Sequence, residues 1–65
     1  MKDLKGKVAV ITGGAEGIGK ALAIMAADKG MKLVLADIDA AKLDATVSEF
    51  TAKGVEAIGL RTDVS

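Results

Sequence analysis

The residues Thr12-Gly13-Gly14-Ala15-Glu16-Gly17-Ile18-Gly19 place four glycines between an apolar run at 8–11 and a helix-like segment reaching position 29. A chain that leaves a strand through glycines and opens a helix presents unpaired backbone N–H groups, and the helix macrodipole favours an anion there. The chemistry is anion binding, and the diphosphate of a dinucleotide is a ligand such a loop suits. Asp37 lies twenty positions beyond Gly17, at the end of a second apolar run, where a carboxylate can accept hydrogen bonds from ribose hydroxyls. A further acid, Asp63, followed by Val64, closes a third run. Other chemistries lack their residues. Without Cys or His there is no disulfide, no thiolate metal site and no imidazole base, so no metal centre is expected.

These residues need elements to position them. Residues 7–12 are short and rich in β-branched side chains, which predicts a strand. From Gly17 to Lys29 the spacing becomes helical, with Ile18, Ala21, Leu22 and Met25 as its apolar positions. Gly30 stops that helix, following Lys29 near the negative end of its dipole. Lys32–Asp37 reads as a second strand. Asp39 is a suitable N-cap for a second helix in which Leu43, Val47 and Phe50 recur at i, i+4 and i+7, before Lys53 and Gly54 close it. Residues 56–63 read as a third strand, and Gly59 within it marks a bulge or a close-packing site. Strand, helix, strand, helix, strand with short links is an α/β pattern of two successive crossover units in a parallel sheet.

Handedness carries this further. Two right-handed crossovers stepping in one direction put both helices on the same face of the sheet. Yet Val8, Val10, Leu33 and Leu35 alternate with Ala9, Ile11, Val34 and Ala36, so the first two strands are apolar on both faces, as buried parallel strands require. The expected cover for the second face lies outside these 65 residues, which read as the first half of a larger domain or its only ordered part. The length agrees, since chains this short bury only about 60% of the surface their unfolded form exposes.

Nine Lys plus Arg balance nine Asp plus Glu, giving zero formal charge and no electrostatic footprint for nucleic acid or an anionic membrane. The longest apolar runs, 8–11 and 33–36, fall far short of the ~20 residues that span a bilayer. No secretory signal pattern follows the first residues, so the expected location is cytoplasmic.

The glycines at 13, 14, 17 and 19 do not fit Gly-x-Gly-x-x-Gly; they fit Thr-Gly-x-x-x-Gly-Ile-Gly, and with this motif the whole chain resembles the short-chain dehydrogenase/reductase family. The resemblance implies a Rossmann-type doubly wound parallel sheet, of which residues 1–65 would form the N-terminal β-α-β-α-β half. Gly13 would turn the chain off the strand, Gly17 would admit the diphosphate, and Gly19 would let helix and sheet pack closely. Ile18 would lie near the diphosphate or the nicotinamide, and the Thr12 hydroxyl would brace a neighbouring strand. Ala15 replaces the Ser common at its position, removing one hydroxyl contact to the ribose. Asp37 would bind the adenosine ribose and Ile38 would flank the adenine, with Asp63 accepting from its amino group and Val64 packing on its ring. Asp37, together with Glu16 where NADP-preferring relatives often carry Arg or Lys, favours NAD over NADP.

The resemblance further implies hydride transfer to or from a small-molecule carbonyl or alcohol, in a homo-oligomer that is usually a tetramer or dimer. Family catalysis uses a Tyr and a Lys four apart, with a Ser and an Asn, all beyond the third strand. This chain has no Tyr and no Asn, and its serines are Ser48 and Ser65, so no catalytic residue is assigned within it. Two alternatives belong to other classes. One is a non-catalytic NAD-binding or sensor module on the same half-fold. The other is a nucleotide triphosphatase, since Gly14 to Lys20 matches Gly-x-x-x-x-Gly-Lys, although Ala21 lacks the hydroxyl that would hold Mg²⁺.

Overall fold

The computed structural model describes residues 4–15 and 17–61. Its elements run β1 (Val8–Thr12), α1 (Gly17–Asp28), β2 (Lys32–Asp37), α2 (Ala40–Ala52) and β3 (Ala57–Arg61). All three strands are parallel, with β2 central. The register pairs Val8 with Lys32 through Thr12 with Ala36, and Leu33 with Ala57 through Asp37 with Arg61. The first strand begins one residue later than its sequence pattern suggests. Positions 62 and 63, expected in the third strand, lie outside the described residues.

Helix α1 lies over β1 and β2, and α2 over β2 and β3. Between them and the sheet sit Ala23, Leu33, Leu35, Leu43 and Phe50, flanked by half-buried Ala9, Ile11, Val47 and Ala57. Leu33 and Leu35 are the largest fully buried side chains, each contributing about 1.5–3 kcal/mol by leaving water. The alternate residues Val8, Val10, Ile58 and Leu60 remain exposed, so both helices cover one face and leave the other bare, as the crossover argument requires.

The apolar face of α2 is the expected one, carrying Leu43, Val47 and Phe50. That of α1 is not. Ile18, Leu22 and Met25 stand exposed, and the helix meets the sheet through Ala23, Ala26 and Ala27. Small side chains let the helix axis lie close to the strands, and the larger stripe is left facing outward. Both helices end alike. Gly30 and Gly54 take positive φ, and the residues after them donate back across the last turn, Met31 N–H to the Ala26 carbonyl and Val55 N–H to the Phe50 carbonyl. Gly59 keeps unbroken register opposite Leu35. A Cβ there would press to 3.0 Å from Leu43 Cγ, so it is a close-packing site and not a bulge.

Candidate functional site

The glycine loop sits at the carboxyl end of β1, beside the carboxyl end of β2. Gly13 turns the chain with φ of 65°, and the N–H groups of Gly13 and Gly14 both donate to the Ala36 carbonyl, at 2.7 and 3.3 Å. Gly14 is pinned over β2, since a Cβ on it would come within 3.0 Å of Leu35 Cδ2 and 3.2 Å of the Ile11 carbonyl oxygen. A Cβ on Gly19 would overlap the Gly13 carbonyl. Gly19 therefore packs α1 against the loop itself, where the sequence pattern suggested the sheet.

This bonding divides the loop. The amides of Gly13 and Gly14 are spent on holding it closed, so the donors left for an anion are those of the first turn of α1, on Gly17, Ile18 and Gly19, which have no intrahelical carbonyl four residues before them. Gly17 has φ of 64° and open space where a Cβ would stand, and Ile18 is 82% exposed.

Asp37 ends β2 next to this loop. Its Oδ2 accepts from Ala15 N–H at 3.3 Å and its Oδ1 from Asp39 N–H at 3.1 Å. The Asp39 amide does most to hold the carboxyl below its ordinary value; burial opposes it, and the Ala15 and Ile38 amides and the Lys42 charge add smaller contributions in the same direction as Asp39. Two backbone donors leave about two of the four acceptor positions of a carboxylate unused, enough for a pair of ribose hydroxyls. Asp39 plays the capping part expected of it, its Oδ1 accepting from Lys42 N–H at 3.0 Å.

Other expected site residues fall differently. Ala15 is buried and both its backbone polar groups are engaged internally, its N–H with Asp37 and its carbonyl with the Thr46 hydroxyl at 3.2 Å. It shapes the site from beneath. Ile38 is exposed just beyond Asp37. Glu16, Asp63 and Val64 lie outside the described residues. Thr12 is exposed on β1, and its hydroxyl finds no strand to brace among the described residues. The structure brings Lys42 within electrostatic reach of Asp37 and sets Arg61 in register with it on β3. Thr46 also escaped the sequence reading. Its signal was a polar residue on the apolar stripe of α2, between Leu43 and Phe50.

The geometry separates the competing ligands. Lys20 does not lean over the loop as a triphosphate-binding lysine would; its ammonium pairs with Glu49 of α2 at 3.0 Å. Among the described residues no cluster of carboxylates is placed to hold a metal ion, and no helix is long and apolar enough to cross a membrane. A cleft lined by Lys5, Gly30, Lys32 and Gly54 lies at the amino ends of the strands, opposite the loop. Ligands of open α/β sheets bind at the carboxyl ends, where Gly17 and Asp37 stand. The glycine loop at the start of α1 and the fixed Asp37 carboxylate beside it fit a dinucleotide.

Comparison with known proteins agrees with this geometry. The sequence profile described as short chain dehydrogenase matches residues 7–65. A CLA biosynthesis dehydrogenase/reductase of Lactiplantibacillus plantarum is 46% identical over 65 residues, covering 100% of this chain and 23% of the relative. A short chain dehydrogenase/reductase from Burkholderia phymatum, solved in complex with NAD, superposes with a TM-score of 0.92 at 55% identity, covering 98% of this chain and 23% of the other. The L-sorbose reductase of Gluconobacter frateurii, solved with NADPH and L-sorbose, gives a TM-score of 0.88 at 36% identity, covering 97% of this chain and 25% of the other. The chain thus spans about a quarter of the length of these relatives. Carried by a loop whose glycines each have a steric or conformational reason, and by a profile match across nearly its whole length, this chain belongs to the short-chain dehydrogenase family.

Proposed function

We propose that this chain supplies the adenosine-diphosphate side of an NAD site in an oxidoreductase that moves a hydride between nicotinamide and a carbonyl or alcohol carbon. The observation that carries the reading is the Asp37 carboxylate, fixed beside the glycine loop by the amides of Ala15 and Asp39. Gly17, Ile18 and Gly19 would hold the diphosphate, with Gly13 and Ala15 shaping the loop. Asp37 would hold the ribose, and Ile38, Asp63 and Val64 the adenine. The bound nicotinamide would supply or accept the hydride. The proton-transfer residues and the substrate pocket would belong to the rest of a cytoplasmic homo-oligomer.

Cofactor choice rests on charge. A 2′-phosphate at Asp37 would meet a carboxylate kept ionised, and Glu16 adds a second negative residue to the loop sequence. Lys42 and Arg61 oppose this, but both are exposed to solvent, whereas both Asp37 oxygens accept from backbone amides. The fixed charge dominates, and NAD is preferred over NADP.

Calorimetric titration of the full chain with NAD and NADP tests this reading. NAD should bind tighter, and Asp37→Ala should weaken NAD by about ten- to a hundredfold, the range for losing hydrogen bonds to a charged group. The same change should narrow the gap to NADP. Unchanged selectivity in Asp37→Ala would reject the assignment of the acid. A Tyr-x-x-x-Lys motif downstream of Ser65 would support catalysis; a full chain without it would be a binding module.

A further inference from the structure

We propose that Thr46 is a positioning residue for cofactor selection, holding the Ala15 backbone so that Ala15 in turn orients the Asp37 carboxylate. The proposal rests on the NAD-site reading above. A threonine inside a helix usually turns its hydroxyl back to a carbonyl of its own preceding turn. Thr46 instead reaches out of α2 to the Ala15 carbonyl, 31 residues earlier in the chain, at 3.2 Å. With 4% of its surface exposed it is the buried polar residue of the core side of α2, lying on the same stripe as Leu43 and Phe50.

Ala15 is thereby clamped from two elements. Thr46 holds its carbonyl, and its N–H donates to Asp37 Oδ2. The residue before it, Gly14, is tied to the Ala36 carbonyl and cannot carry a Cβ without pressing on Leu35. The Ala15–Asp37 bond is 3.3 Å long, near the outer limit for N–H···O geometry, so a small displacement of Ala15 breaks it. Asp37 would then keep one backbone anchor, Asp39 N–H on Oδ1, and its carboxylate could rotate about that single contact. Discrimination between a ribose hydroxyl and a 2′-phosphate depends on where that charge is fixed. Thr46 reaches the proposed site only through Ala15, by way of which it sets where the acid stands.

The test measures NAD and NADP dissociation constants in the full chain for wild type, Thr46→Val, Thr46→Ser, Asp37→Asn and the Thr46→Val/Asp37→Asn double variant. Removing one buried hydrogen bond should lower NAD affinity about five- to tenfold in Thr46→Val, with NADP affinity unchanged, so that the selectivity ratio falls by the same factor. Thr46→Ser keeps the hydroxyl and should restore the ratio to within about twofold of wild type. In the Asp37→Asn background Thr46→Val should change the ratio by less than about twofold, because the effect passes through the carboxylate. An unchanged ratio in Thr46→Val, an equal loss for both cofactors, a serine variant that behaves like valine, or the full effect persisting in the Asn background would each overturn the proposal. Should Thr46→Val not fold, Thr46→Ser decides alone, a wild-type ratio supporting the proposal and a shifted one overturning it. A wild-type chain that binds neither dinucleotide would instead overturn the site reading, and that result is read without any variant.

Discussion

The first turn of α1 rests on the glycine loop, with Gly19 so close beneath Gly13 that a Cβ on Gly19 would overlap the Gly13 carbonyl oxygen. Gly17, two residues earlier, has open space at the same position and is constrained by its φ of 64°. The two glycines therefore do different work, and their alanine variants should fail differently. Gly19→Ala should push the helix off the loop and cost about 1–3 kcal/mol of stability, as overpacking does. Gly17→Ala should cost about 1–2 kcal/mol from the left-handed backbone alone, and because Gly17 carries one of the α1 amides, the backbone shift it forces would also displace the proposed diphosphate donors. Thermal unfolding and NAD titration of the full chain, at a temperature where both variants are folded, should show Gly17→Ala losing affinity out of proportion to its loss of stability. Equal proportions in the two variants would place the diphosphate elsewhere.

If Asp37 holds the ribose as proposed, its hydrogen bonds should give NAD binding an acid limit. Its folded-state pKa is depressed, chiefly by the Asp39 amide, so the stabilisation from the ionised carboxylate is complete above the ordinary carboxylate value. It is lost as pH falls through the lowered folded value. NAD affinity of the wild-type full chain should accordingly be flat from neutral pH down to the usual carboxylate range and decline only below it. Asp37→Asn should bind more weakly throughout and lack that acid limb. A pH series of binding titrations in which the Asn variant keeps the same decline would assign it to another group.

Much of this was legible in the sequence because it is written in short-range signals. Asp39 caps α2 through its own Lys42 amide, and Gly30 and Gly54 end helices by adopting positive φ, each a matter of a few neighbouring residues. The helix-facing side of α1 was not legible. Ile18, Leu22 and Met25 recur at i, i+4 and i+7 as strongly as any core stripe, and periodicity cannot say which of two apolar faces meets the sheet. The cations near Asp37 and the reach of Thr46 to Ala15 depend on strand register and on packing across 31 residues of chain, which spacing along the sequence does not encode.

Asp39 and Asp37 are both acids at the β2–α2 junction, and their substitutions should separate cleanly. The side chain of Asp39 caps α2, but it is the backbone N–H of Asp39 that holds Asp37 Oδ1. Asp39→Ala deletes the cap and leaves that N–H in place. It should lower stability by about 1 kcal/mol in denaturant unfolding, the usual cost of losing an N-cap side chain, with the NAD-to-NADP ratio preserved. A changed ratio would mean that the Asp39 carboxylate itself reaches the cofactor.

The face of the sheet opposite both helices calls for cover that these elements do not supply. Val10 is 68% exposed and Ile58 58%, on the side opposite both helices. Parallel sheets occur almost only with both faces covered, because strands buried on two sides are apolar on two sides. We therefore expect Val10 to be buried in the full chain. Val10→Asp should then cost about 3 kcal/mol or more, since an unpaired charge would be placed in an apolar layer. Val10→Thr, nearly the same shape with one hydroxyl, should cost about 1–3 kcal/mol. Substitutions at a solvated position usually stay within about 0.5 kcal/mol, so denaturant unfolding of the full chain distinguishes the two states of this face. If both variants fall within that margin, the face is open to water and the doubly wound sheet is not completed over β1.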